Sequence, residues 1–181
     1  MDIQISIDKM VLVGDLKKIN GYSPIEKMLN DEHNNYILDF GISKYPYNYY
    51  WKLYDSIFIQ YSRENKFKDI RIEFNPNKIS EELNDYILEL LTHLQYCEYN
   101  RVDIALDFFG EDLSSYQIID LKGRKSNYWL DGKGNLETKY IGAKDSDLRI
   151  RIYDKAKEQK KDGIPVVCLA QLNREVEKRA D

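Results

Sequence analysis

Residues 126–141 read Ser-Asn-Tyr-Trp-Leu-Asp-Gly-Lys-Gly-Asn-Leu-Glu-Thr-Lys-Tyr-Ile, and this stretch predicts a β-hairpin. Two extended segments, Ser126 to Leu130 and Leu136 to Ile141, flank a turn of Asp131-Gly132-Lys133-Gly134-Asn135. Glycine supplies the backbone conformations that tight turns between strands require. Because a hairpin joins strands that run in opposite directions, the stretch indicates an antiparallel sheet.

The segments around the hairpin add further strands and four helices. Ser23-Pro24 is a typical start for a helix at Ile25, and Ser80 is a good N-cap for a helix through about Leu94. Short helices are also expected over residues 112–119 and 154–161. Apolar alternation predicts strands over residues 3–13, 36–40, 54–61, 70–74, 101–108 and 148–153. The order predicts an α+β fold, with a central mainly antiparallel sheet and helices packed on it.

Length and composition exclude several classes of protein. The 181 residues suit one domain, so we expect residues 1–181 to form a single unit. No run of about 18 apolar residues is present, so no membrane span is expected. Only Cys97 and Cys168 occur, and no secretory signal is visible, which favours a cytoplasmic setting.

The net charge conceals a basic segment. The formal charge is -4, yet residues 122–161 hold 12 Lys and Arg against 6 Asp and Glu, a local charge of +6. Such a segment can neutralise phosphates, since that interaction is local. A solvated charged face is the alternative, and charge alone favours it.

Carboxylates are the candidate metal ligands. Asp103, Ala105 and Asp107 share one face of a predicted strand, because strand side chains alternate, and the opposite face of Val102, Ile104 and Leu106 is expected to be core. Glu73 is the single acid in another apolar strand. Oxygen ligands favour Mg²⁺ or Mn²⁺. Salt bridges to arginine are an equally weighted explanation of the same pattern, and the partners would be Arg71, Arg101, Arg149 or Arg151.

Tyr140 ends the hairpin inside the basic segment. A phenol, with its usual pKa near 10, is a poor nucleophile unless cations or a base stabilise the phenolate. Lys139, Lys144, Arg149 and Arg151 are near in sequence. Spacing alone does not separate Tyr140 from the other fourteen tyrosines.

Four motifs in order resemble a known family. They are Val11-Leu12-Val13-Gly14-Asp15-Leu16, Arg71-Ile72-Glu73-Phe74-Asn75-Pro76-Asn77-Lys78, Arg101-Val102-Asp103-Ile104-Ala105-Leu106-Asp107, and Glu137-Thr138-Lys139-Tyr140-Ile141-Gly142 followed by residues 145–155. Together they resemble the replication initiators of small rolling-circle plasmids of staphylococci and related Gram-positive bacteria. The match runs from about Ile5 to Lys161.

The resemblance implies an initiator-like, relaxase-type fold and a function in DNA nicking and joining. In that family a motif tyrosine, here Tyr140, attacks the scissile phosphate at the plasmid origin, keeps the 5′ phosphate as phosphotyrosine and releases a 3′ hydroxyl. It also implies a divalent metal, Mg²⁺ or Mn²⁺, on the matching acids Asp103, Asp107 and Glu73. Residues that would contact DNA phosphates are Lys139, Lys144, Arg149, Arg151 and Lys155.

The resemblance also sets expectations for partners. Family members act as homodimers on origin DNA with a host helicase, and they continue past residue 181, so a shortened C-terminus is expected here. Two alternatives stay open: a non-catalytic module that binds DNA or dimerises, and the relaxase of an integrative element.

Overall fold

The computed structural model describes residues 2–17, 23–31, 35–43, 46–54, 56–62, 68–109, 119–143, 146 and 148–154, and the backbone of 166–173. Its contacts group these residues into two compact units. We call residues 9–100 the core unit, and residues 2–8 with 101–173 the hairpin unit. The expected single domain over 1–181 stays a prediction.

Ten strands and two α-helices make up the described part of the chain. The helices are α1 (Pro24–Leu29) and α2 (Glu81–Thr92), with a short 3₁₀ turn at Pro76–Lys78. The strands are β1 (Asp2–Leu16), β2 (Ile37–Ile42), β3 (Tyr49–Leu53), β4 (Ile57–Tyr61), β5 (Ile70–Phe74), β6 (Leu94–Phe109), β7 (Ser126–Leu130), β8 (Leu136–Ile141), β9 (Leu148–Asp154) and β10 (Val166–Asn173).

The core unit packs its helices on one face of a sheet. Strand order in this unit is β2-β3-β4-β5-β1-β6. In β5, Ile70, Ile72 and Phe74 are buried while Arg71 and Glu73 are only half-buried, as the predicted alternation requires. Helix α2 begins where predicted, because the Ser80 hydroxyl accepts a hydrogen bond from the Leu83 N–H at 3.2 Å. Its buried stripe joins the same hydrophobic cluster as β5.

The hairpin unit has the strand order β1-β6-β10-β9-β8-β7. The predicted hairpin is confirmed, with strands at the predicted bounds. Strand β10, in the middle of this unit, was not predicted. Every strand pairing with a described register is antiparallel, which confirms the α+β class with a mainly antiparallel sheet.

Several boundaries differ from the sequence prediction, and strand β3 (Tyr49–Leu53) was not predicted as a strand. The predicted strand 54–61 starts only at Ile57, because Tyr54 has a positive φ of 44° and lies in the turn between β3 and β4. Helix α2 ends at Thr92, and β6 begins at Leu94 rather than at Arg101. The helices predicted over 112–119 and 154–161 lie largely outside the described residues. None of the described helices is long and apolar enough to cross a membrane.

Candidate active site

The hairpin fixes Tyr140 through its turn and its strand register. The Asp131 carboxylate accepts hydrogen bonds from the N–H groups of Lys133 and Asn135, both at 2.8 Å. With the turn closed in this way, Tyr140 lies opposite Asn127 on β7 and opposite Arg151 on β9. Residues that are directly opposite in an antiparallel pair point to the same face. Tyr140 and Arg151 therefore share a face of the sheet.

Gly142 directly follows β8 and lies two residues after Tyr140. Its φ of 96° lies in the left-handed region, which L-residues with a Cβ rarely adopt. A Cβ at this position would also collide with the Leu148 carbonyl oxygen. The Gly142 N–H donates to the Lys125 carbonyl at 2.8 Å, so this glycine ties the chain leaving β8 to the residue that precedes β7.

Aromatic and cationic groups surround the Tyr140 ring, which is half-buried rather than part of the hydrophobic core. The Trp129 ring meets it edge to face, with 5.4 Å between centroids and an interplanar angle of 79°. From β9, the other neighbour of β8, the Cζ atom of Arg149 lies 4.3 Å from the Tyr140 ring centroid and that of Arg151 lies 5.9 Å from it. The phenol is thus held between an indole and two guanidinium groups.

The Arg149 side chain contains a donor without an acceptor. Its Nε is buried and has no hydrogen-bond partner among the residues that the structure describes. A buried donor that is left unsatisfied costs about 1–3 kcal/mol, so the position favours an incoming acceptor oxygen.

Asp103 and Asp107 occupy the same face of the hairpin unit as Tyr140. Arg151 is opposite position 169 on β10, and position 169 is opposite Ala105 on β6. Asp103 and Asp107 flank Ala105 at a period of two, so they share its face, as predicted. Strands β9 and β10 lie between these acids and Tyr140, so three strand spacings, about 14 Å, separate the backbones of β6 and β8.

The expected core face of β6 was wrong. The sequence predicted that Val102, Ile104 and Leu106 are the buried side, but all three are half-buried. Asp103 and Ala105 are the buried residues, with 4% and 2% of their surface exposed. The burial of Asp103 is compensated by Arg101, whose guanidinium donates two hydrogen bonds to the carboxylate at 2.7 and 2.6 Å.

Glu73 lies in the core unit and is engaged in ion pairs. It contacts the Lys9 ammonium and, at 2.5 Å, the Arg71 guanidinium. Burial by itself raises the pKa of Glu73, but the attraction of Lys9 and Arg71 is stronger, and the net pKa lies below the usual value. The ion-pair alternative therefore describes both Glu73 and Asp103.

Within the hairpin unit, Asp103 and Asp107 are not placed to share one ion. Within the described ranges, no three His, Cys, Asp or Glu side chains are close enough to hold an ion. Asp103 and Asp107 are four residues apart on a strand, a separation of about 13 Å that two short side chains cannot bridge to one ion. The ligand set of Glu73, Asp103 and Asp107 stays a prediction.

The predicted DNA-binding residues divide into three groups. Arg149 and Arg151 contact the Tyr140 ring. Lys139 is opposite Tyr128 and Ile152, so it points to the other face of the sheet, away from the phenol. Lys144 and Lys155 lie outside the described residues.

Sequence reasoning did not find Trp129 as a site residue. Once the turn fixes the register, period-two alternation places Trp129 opposite Thr138 and on the face of Tyr140. The predicted hairpin already contained that signal.

The fold is shared with a solved protein. The structure of a rolling-circle replication initiator protein from Geobacillus stearothermophilus matches with a TM-score of 0.59 and 18% sequence identity, over 96% of this chain and 76% of that chain. The fold of this chain is therefore that of a rolling-circle replication initiator.

Curated proteins of similar sequence are also replication initiation proteins. Two proteins of Staphylococcus aureus named replication initiation protein are each 30% identical, over 164 and 173 residues, or 88% and 93% of this chain. The chain spans about half the length of these relatives, 51% and 54%. The sequence matches no protein-family model. The chain is a homologue of these replication initiation proteins, and the resemblance inferred from its motifs is confirmed.

Proposed function

We propose that this chain carries the nicking chemistry of a plasmid rolling-circle replication initiator, with Tyr140 as the nucleophile. The observation that carries the proposal is the half-buried Tyr140 ring held beside two guanidinium groups on one face of the sheet. The homology to replication initiation proteins supports the substrate, which is one strand of DNA at a plasmid origin in the cytoplasm.

The arginines suit the binding of a phosphodiester. Guanidinium groups bind phosphate oxygens through paired hydrogen bonds and keep their charge at any physiological pH. Arg149 also offers the buried Nε–H without an acceptor. A phosphate bound by Arg149 and Arg151 would lie beside Tyr140, because both guanidinium groups contact the Tyr140 ring.

The proposed reaction exchanges one phosphoester for another. The Tyr140 oxygen loses its proton and attacks phosphorus, a new oxygen–phosphorus bond forms, and the bond from phosphorus to the 3′ oxygen breaks. The 3′ oxygen takes up a proton and leaves as a free hydroxyl, while the 5′ phosphate stays on Tyr140. The two guanidinium groups offset the negative charge that builds up on the phosphate oxygens.

No step is assigned to a metal ion. The resemblance implies Mg²⁺ or Mn²⁺, but Glu73 and Asp103 are already paired with cations and the described acids do not form a cluster. The requirement for a divalent metal stays a prediction. The homodimer and the host helicase are likewise proposals taken from the resemblance.

A covalent adduct tests the chemistry. The protein is mixed with Mn²⁺ and a single-stranded oligonucleotide that carries the plasmid origin, and then denatured. We expect a protein band whose mobility shift survives denaturant, and we expect Tyr140→Phe to abolish it, because only the hydroxyl is removed. A Tyr140→Phe protein that still forms the adduct would refute the assignment of Tyr140.

The ion-paired acids favour one alternative, a module that binds DNA without cutting it. Absence of an adduct with every divalent metal tried, combined with retained binding to the oligonucleotide, would support that alternative over nicking.

A further inference from the structure

An exposed tryptophan lies beside the proposed nucleophile. Trp129 belongs to β7, the edge strand of the hairpin unit, and 51% of its surface is exposed. The other tryptophan, Trp51, is 4% exposed and belongs to the hydrophobic cluster of the core unit. Burying a large aromatic ring is strongly favourable, so a half-exposed indole at a candidate active site suggests a binding role.

The strand register shows to which face of the sheet the Trp129 side chain points. It is opposite Thr138, so it points to the face that also holds Tyr140. Its neighbour Tyr128 is opposite Lys139 and points to the other face, where 64% of its surface is exposed. Two aromatic residues of one strand are therefore presented to opposite sides of the hairpin.

The groups that contact Tyr140 come from two different strands. Trp129 lies on β7 and the two arginines, Arg149 and Arg151, lie on β9, and these strands flank β8 on its two sides. An aromatic surface binds a nucleobase, and guanidinium groups bind a phosphate. In a DNA strand, a base lies next to the phosphate that the phenol would attack. The indole can therefore contact that base while the two guanidinium groups contact the phosphate.

We propose that Trp129 is a positioning residue that stacks on an unpaired base beside the phosphate attacked by Tyr140. The inference rests on the proposed function and specifies its substrate. Bases inside a duplex are already stacked on each other, so the indole selects DNA whose bases are unpaired at this point. Stacking tolerates any base, so Trp129 would select single-stranded DNA and position the strand, but it would not select a base sequence.

Tryptophan emission tests the stacking directly. The measurements use Tyr140→Phe protein, which cannot form the covalent adduct, with single-stranded oligothymidylate as the probe. We expect the probe to quench the emission of Trp129. Trp129→Phe leaves only the buried Trp51 as emitter, so its emission should not respond to the probe.

Binding of a labelled oligothymidylate, measured by anisotropy, supplies the second readout. Trp129→Ala should weaken binding by roughly 5- to 150-fold, the range for loss of one stacked base. Trp129→Phe should restore most of the affinity, since phenylalanine also stacks. Tyr128→Ala is the matched control on the same strand and should bind like the parent protein. Duplex of the same length should bind equally well to the parent protein and to Trp129→Ala.

The outcomes separate this inference from the proposed chemistry. Unchanged emission on binding, or a loss of affinity that is as large in Tyr128→Ala as in Trp129→Ala, would overturn the role of Trp129 even if Tyr140 forms an adduct. Quenching with rescue by phenylalanine would support that role even if no adduct forms, in which case only the nicking proposal fails.

Discussion

Replacing Gly142 by alanine should destabilise the hairpin unit and slow adduct formation. Gly142 follows Tyr140 by two residues and has a φ of 96°. A left-handed conformation costs an L-residue about 1–2 kcal/mol. The new Cβ would also collide with the Leu148 carbonyl oxygen, a backbone atom that cannot rotate away. Relief of that collision weakens the 2.8 Å hydrogen bond from Gly142 to Lys125, which adds about 1 kcal/mol.

The total loss of stability is about 2–3 kcal/mol, which corresponds to a fall in Tm of roughly 5–10 °C for a protein of this size. Thermal unfolding followed by circular dichroism measures it. Two glycines of the same hairpin are matched controls. Gly134 has a φ of 86°, and a methyl group added there would have nothing within 4 Å, so Gly134→Ala reports the cost of conformation alone, about 1–2 kcal/mol.

Gly132 has neither a positive φ nor a close neighbour, so Gly132→Ala should be neutral or stabilise by about 0.4–1 kcal/mol. The expected order of Tm, from highest to lowest, is therefore Gly132→Ala, then Gly134→Ala, then Gly142→Ala. Adduct formation, measured below all three transitions, should fall most in Gly142→Ala because Tyr140 depends on the same register. If the Tm of Gly142→Ala were equal to that of Gly132→Ala, this account of the turn would be refuted.

Four further predictions address the charged groups. Asp103→Asn should lower the free energy of unfolding by about 1–3 kcal/mol in urea denaturation, because it leaves Arg101 without its charged acceptor; an unchanged midpoint would mean that the pair contributes nothing. Lowering the pH through the depressed pKa of Glu73 should reduce the free energy of unfolding. The stabilisation from the ion pairs with Lys9 and Arg71 is fully present above the pKa that Glu73 has in the unfolded chain, and it is lost as the carboxylate is protonated. Glu73→Gln should lack this acid-dependent loss. Arg151→Gln should lower the slope of log affinity for single-stranded DNA against log salt by about 0.7, and an equal slope would remove Arg151 from the phosphate contacts. Excess EDTA should abolish the adduct while DNA binding persists, and robust cutting in EDTA would end the expectation of a metal.

The sequence predicted elements well where one face of an element is buried and the period is clear. Strand β5 alternates isoleucine with charged residues, and α2 has both an N-cap at Ser80 and an apolar stripe. The hairpin was predicted to the residue because its turn chemistry is local. Strand β10 was missed because residues 166–170 are a continuous apolar run, which a central strand and a buried helix segment share.

The chemistry of the acids could not be predicted from spacing. A carboxylate at period two on a strand is equally compatible with a metal and with an arginine two residues away. Arg101 and Asp103 illustrate this, since their alternation in sequence places them on one face, where the guanidinium reaches the carboxylate. Only the folded structure shows which partner pairs with the carboxylate.

Tyr140 needed the resemblance, because fourteen other tyrosines have the same side chain. The structure adds the arrangement of the groups that contact the ring. Arg149 and Arg151 approach from β9, and Trp129 approaches from β7, so three separate strands must be in register before the phenol has its surroundings. A shift of one residue between β8 and either neighbour would send their side chains to the opposite face. The turn at Asp131 and the hydrogen bond from Gly142 to Lys125 hold β8 against β7 at the two ends of that pairing, and the close approach of Gly142 to Leu148 connects β8 to β9. The reactivity proposed for Tyr140 therefore depends on hairpin geometry as much as on the tyrosine itself.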